Sequence, residues 1–176
     1  SFSIFVFFSI ILFCSLGTWQ VYRLQWKLDL ISEINKGLNS EPVFYSNSNL
    51  INYQKVQFDG IFDFEKQIYL YSLNDKGIPG FDIITPIKIN SNEMLLVNRG
   101  WINKDLKGNK KINYIKSKSF EGIVKKITKP NVFKPENDIK NNIWYSLKLE
   151  DLESFTGYKL NDSVIFLQNS QNNLVK

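Results

Sequence analysis

A chain of 176 residues with 43% apolar and 15% aromatic content has ample material for a packed core, which argues against an intrinsically disordered chain. Its formal charge is +5, it has no histidine, and its one cysteine, Cys14, lies in an apolar run without a partner. Ser-His-Asp and Cys-His machinery, zinc sites built on imidazole or thiolate, and a disulfide framework are therefore excluded.

No side chain from Phe2 to Tyr22 is charged, and a helix of that length, at about 1.5 Å per residue, reaches roughly 31 Å, close to the hydrocarbon thickness of a bilayer. The strictly apolar part, Phe2 to Leu16, also resembles the h-region of a secretion signal. No small-x-small site follows it, because Ser15, Leu16, Gly17 and Thr18 lead into Trp19. Leu24, Leu28 and Ile31 continue one helical face until Asn35, Lys36 and Gly37 supply a C-cap. The reading is an uncleaved transmembrane helix over residues 1–22 continuing into a juxtamembrane helix over 23–38, in preference to a signal peptide or a buried soluble helix. Trp19, Tyr22 and Trp26 form its interfacial aromatic belt.

Residues 39–176 suit one compact water-facing domain. Their texture is of short β-rich runs separated by Asn, Gly, Asp and Pro. Strands are predicted near Val56–Phe62, Gln67–Leu73, Phe81–Ile89, Glu93–Ile102, Ser119–Ile127, Ile143–Leu147 and Ser163–Gln168. Asn90, Ser91 and Asn92 separate two apolar runs at hairpin spacing, and DKGIPG after Asn74 marks a second tight turn. Asn74, Asp75 and Gly77 faintly resemble a calcium loop but lack the later bidentate acid, so a plain turn is preferred. Asn103 to Lys118 reads as an exposed, mobile loop. One short helix is predicted near Leu149–Thr156, ended by Gly157. The fold class is α+β: the membrane helix, then a mainly antiparallel β-sheet or barrel-like domain with one short helix.

Ten lysines between Lys104 and Lys134 face only Asp105 and Glu121. A solvated basic edge is the preferred reading, contact with anionic headgroups the second, and nucleic acid is discounted because the anchor keeps the domain away from it.

Three polar-aromatic clusters remain. Trp19, Gln20, Arg23 and Lys27 share one side of the helix at the membrane exit. There Arg23 either snorkels to lipid phosphate, the favoured reading on physics alone, or pairs with an acidic ligand group such as a carboxylate. In VNRGWI, Val97 to Ile102, Arg99 and Trp101 have the same strand parity and Gly100 the opposite one; the alternative is a strand end with a cation resting on a ring. FKPENDIKNNIWY, Phe133 to Tyr145, reads as a structural loop.

In this order LGTWQVYRLQWKLDLI, a Gly-Pro turn leading to TPI, LLVNRGWI and FKPENDIKNNIWY resemble the Surfeit locus protein one family of cytochrome oxidase assembly factors, over nearly the whole chain. Gly17, Trp19, Gln20, Arg23 and Lys27 fit the first motif of that family, and Asn98, Arg99, Gly100 and Trp101 fit its second. The resemblance implies a non-enzyme of the inner membrane that assists maturation of haem-copper oxidases, handling haem a transiently. Its partners would be the oxidase catalytic subunit, haem a synthase and membrane lipid. It also implies a domain on the periplasmic side, or the intermembrane-space side in a mitochondrion, although Arg23 and Lys27 taken alone favour a cytoplasmic one. The family's second span, with its haem-ligating histidine, has no counterpart here. A trimmed protein or a naturally short member would each account for this, and Ser1 at the start favours trimming. The expectation is that Trp19, Gln20, Arg23, Arg99 and Trp101 supply propionate or interface contacts while the iron ligand comes from outside this chain, since only Met94, Cys14 or tyrosines remain. The competing readings are a membrane-anchored extracytoplasmic scaffold or binding module with no haem role and, weakest, an enzyme.

Overall fold

The computed structural model describes residues 2–45, 50–90, 93–109, 119–129 and 132–168. It divides into two units, residues 1–39 and 40–176. The first is a single helix, α1 (Phe2–Leu38), without one buried residue. Among the described residues it is the one helix long and apolar enough to cross a bilayer, with a mean hydropathy of 2.1 over its most apolar stretch. A wholly exposed helix of that composition is stable only in an apolar medium, so α1 is a membrane segment that continues unbroken into its polar extension. It runs to Leu38, just past the expected Gly37 stop.

The second unit is a mixed, mainly antiparallel sheet. Its strands are β1 (Val43–Phe44), β2 (Lys55–Asp59), β3 (Ile61–Phe62), β4 (Ile68–Leu73), β5 (Pro79–Asn90), β6 (Glu93–Asn103), β7 (Ser119–Lys126) and β8 (Leu160–Leu167). The hydrogen-bonded order is β1-β2-β7-β8-β6-β5-β3, with β4 also on β5. Among the described strands, β1/β2 and β6/β8 run parallel and the other pairs antiparallel. The sheet curls, bringing the Phe62 ring of β3 within 5.1 Å of the Phe120 ring of β7, but its strand path stays open.

Both faces of the central strands are covered. Leu95 and Val97 of β6 join Phe58, Ile87 and Ile165 on one side. Met94 and Leu96 join Ile84, Trp144 and Val164 on the other, where α2 (Leu149–Thr156) lays down Leu152. That two-sided burial explains the continuous MLLV run, since a half-exposed strand would alternate. Burying each such side chain contributes roughly 1.5–3 kcal/mol. Gly157 ends α2 in the left-handed conformation, at φ 75°, as its sequence position suggests.

Three expectations need correction. The run Val56–Phe62 is two strands, because the chain turns at Gly60, where a Cβ would lie 2.6 Å from the Lys88 carbonyl oxygen. Ile143–Leu147 is no strand: it makes isolated bridges, Leu70 with Trp144 and Asp138 with Ile143. Side chains replace a ladder there, with Asn137 Oδ1 accepting from the Tyr145 and Ser146 amides at 2.9 and 3.1 Å. The start of the Asn103–Lys118 loop is pinned rather than mobile. Leu106 packs on the Phe81–Ile102 cluster, the Gly108 amide donates to Tyr69 Oη, and Lys107 Nζ donates to the Asn141 carbonyl. Residues 110–118 of that loop, and Ser91 and Asn92 of the hairpin, lie outside the described residues, although Asn90 pairs with Glu93 as hairpin spacing requires. The DKGIPG turn is held by Asn74, whose Oδ1 accepts from the Lys76 and Ile78 amides.

Candidate functional site

On α1 the four residues of the membrane-exit cluster lie within an arc of about 100° at 100° per residue. All four are exposed. The Arg23 guanidinium carbon stands 5.4 Å from the centroid of the Trp19 ring one turn earlier, the geometry of a cation–π contact. A guanidinium resting on a ring keeps its N–H donors for other partners, so this exposed pair can take a carboxylate or phosphate at the lipid boundary. Gln20 and Lys27 extend the same polar stripe.

The NRGW segment is built differently. Asp82 of β5 pairs with Trp101 and Ile84 with Asn98, so Ile83 alone opposes both Arg99 and Gly100. This is a β-bulge, and Gly100 adopts φ 117°, which disfavours any residue with a Cβ. The bulge resets the alternation, so Arg99 and Trp101 do not share a face, contrary to their sequence parity. Trp101 turns into a groove of about 570 Å³ with Asp82 and Asn98, its ring lying over Gly80 and its Nε1 3.5 Å from the Ser72 carbonyl. Asn98 Oδ1 accepts the Gly100 amide at 2.8 Å and so fixes the bulge. Burial raises the Asp82 carboxyl above its ordinary 3.8, against the pull of Asn98 and Lys125.

Arg99 points inward and has no exposed surface. Its Nη1 donates to Gln67 Oε1 at 2.9 Å, and that oxygen also accepts from Thr85 Oγ1 at 3.1 Å. Gln67 Nε2 in turn donates to Tyr69 Oη at 3.0 Å. Phe62 and Phe64 lie 5.7 and 5.0 Å from the guanidinium. Burial brings its pKa from 12.5 down to about 10, opposed by Tyr69, and it stays cationic at neutral pH. Its guanidinium is thus engaged within the sheet. Sequence reasoning missed Gln67 and Thr85; the signal was the apolar LLV run before Arg99, which marks a strand buried on both faces.

The remaining expected cluster is structural. Trp144 is fully buried, its Nε1 donating to Asn142 Oδ1 and its backbone bridging to Tyr69 and Tyr71. The chain has no histidine, Met94 is packed in the core, Cys14 lies within the apolar stretch of α1, and the described residues hold no group of three His, Cys, Asp or Glu side chains able to share a metal ion, so tyrosine oxygens are the remaining candidate iron ligands.

An apolar anchor helix followed by a separate curled, mainly antiparallel sheet unit defines a membrane-attached β-domain protein. The sequence profile of the SURF1 family matches residues 7–175, and the chain belongs to that family. A SURF1-like protein of Rickettsia prowazekii is 36% identical over 86% of this chain and 63% of its own length. A SURF1-like protein of Rickettsia conorii is 29% identical over 96% of the chain and 71% of its own length. The Surfeit locus protein 1 of Gallus gallus is 31% identical over 82% of the chain, which spans about half, 54%, of that relative.

Proposed function

We propose that the protein is a membrane-anchored, non-catalytic assembly factor for a haem-copper terminal oxidase, and that its helix-exit stripe holds the acidic edge of haem a during delivery to the oxidase catalytic subunit. Membership of the SURF1 family across residues 7–175 is the observation that carries this reading, because it supports a role in cytochrome oxidase assembly. The Arg23–Trp19 pair supports the finer part, as it is an exposed, ring-oriented cation at the lipid boundary. A propionate there would gain a charge-assisted contact of about 1.5–3 kcal/mol. Arg99, enclosed by the sheet, supports the fold instead, while Gln20 and Trp101 stay as interface contacts. The iron's axial ligand comes from outside this chain. The sheet unit lies on the periplasmic side of a bacterial inner membrane, or on the intermembrane-space side of a mitochondrial one, with haem a synthase as a further partner.

Replacing Arg23 by Ala in the full-length protein tests the haem reading. Retained haem a, read from the absorption spectrum of the purified protein, should fall about tenfold or more; an unchanged yield removes Arg23 from the site. Capture of the oxidase subunit by the tagged protein tests the assembly role, and a preparation lacking both oxidase and synthase favours a scaffold without a haem role. Haem added to the chain of 176 residues should give no stable six-coordinate spectrum.

A further inference from the structure

The sheet unit carries a second basic feature that the oxidase reading does not use. Lys125, Lys126, Lys129 and Lys134 surround a groove of about 330 Å³ floored by Ile127 and Phe166 among other apolar side chains, and no acidic residue lines it. All four lysines are exposed, and the Lys125 ammonium stands 5.5 Å from the Phe166 ring centroid, over that floor. Val132 and Phe133, between Lys129 and Lys134 in sequence, are 95% and 93% exposed. Two bulky apolar side chains this exposed, flanked in sequence by lysines of a cationic hollow, match a phase that is apolar within and anionic at its surface.

We propose that this surface docks on an anionic bilayer, with the lysines taking phospholipid phosphates and Val132 and Phe133 entering the interfacial layer. Because α1 tethers the unit to a membrane, lipid headgroups are the anions at highest effective concentration around it. Compact ammonium groups suit single phosphates, and a hollow of this size holds one headgroup rather than several residues of an acidic peptide.

The test uses the full chain reconstituted in vesicles of pure phosphatidylcholine or of phosphatidylcholine with phosphatidylglycerol. A spin label is placed through Phe133→Cys with Cys14→Ser, and its relative accessibility to oxygen and to a water-soluble nickel complex reports immersion. The label should be immersed only in vesicles containing phosphatidylglycerol. Lys129→Gln with Lys134→Gln should reduce the ratio of immersed to free label roughly 25-fold, about fivefold per lysine. A label equally wet in both vesicle types overturns the proposal, as does immersion that ignores the lysine changes. Immersion appearing only when an oxidase subunit is added overturns it in favour of a protein partner. The near-UV signal of buried Trp144 verifies that each variant is folded.

Discussion

Arg23 and Arg99 both rest against aromatic rings, yet they belong to regions built on opposite principles. Arg23 stands on a helix with no buried residue, stacked on a single ring. Arg99 is sealed between Phe62, Phe64 and Gln67 in a sheet whose central strand is covered on both faces. The first is available to whatever arrives at the membrane boundary. The second is a structural cation, held by a shared amide oxygen and by ring faces, while the bulge beside it is fixed by Asn98. Two motifs of similar appearance in sequence therefore leave one arginine in the open and enclose the other in the fold.

The sharpest way to break this comparison is Arg99→Ala, which should cost about 3–5 kcal/mol by leaving a cavity and removing a charge-assisted bond to Gln67. The guanidinium chloride midpoint reads it. Arg99→Met keeps most of the volume and should lose only about 1–2 kcal/mol; equal losses would mean that packing plays no part. Gly80→Ala places a methyl 2.3 Å from the Trp101 ring and from the Ile102 carbonyl oxygen. The strand pair must shift, at about 1–3 kcal/mol, with a change in tryptophan emission.

A smaller effect of opposite sign is expected at Asp82. Its carboxyl is raised in the folded protein, so the native state binds more protons than the unfolded one just above pH 3.8, and stability falls as pH rises through that window. Asp82→Asn should remove this fall and make the protein more stable at neutral pH, as denaturation at pH 4 and 7 would show. Arg23→Ala should change the midpoint least, by under about 0.5 kcal/mol, while affecting haem a retention most. A large loss of stability there would erase the distinction between the two arginines.

The helices and most strands were legible because their signals are local. An uncharged run, a glycine after Leu149–Thr156 and two apolar runs at hairpin spacing each declare themselves within a dozen residues. The remainder depends on distant partners. Ile143–Leu147 has strand-like composition, but its hydrogen bonds go to Asn137 and the β4 backbone, and composition does not reveal the partner. The two-residue β1 is too short to show a period, and Gly60 breaks a strand only because the backbone of β5 lies against it. At the candidate site, the exposure of Arg23 was readable from its position on the helix. The opposite facing of Arg99 and Trp101 was not, because parity counting cannot see a bulge.

The parallel pairing of β6 with β8 has a consequence for biogenesis. Among the described residues, 160–167 form the strand that joins β7 to β6, so until they emerge the described sheet exists as two fragments without a backbone ladder between them. A nascent chain already held at the bilayer by α1 must wait for residues 160–167 to be synthesised before its two sheet fragments can join. Premature termination before residue 160 leaves both fragments with raw edges, ready substrates for quality-control proteases.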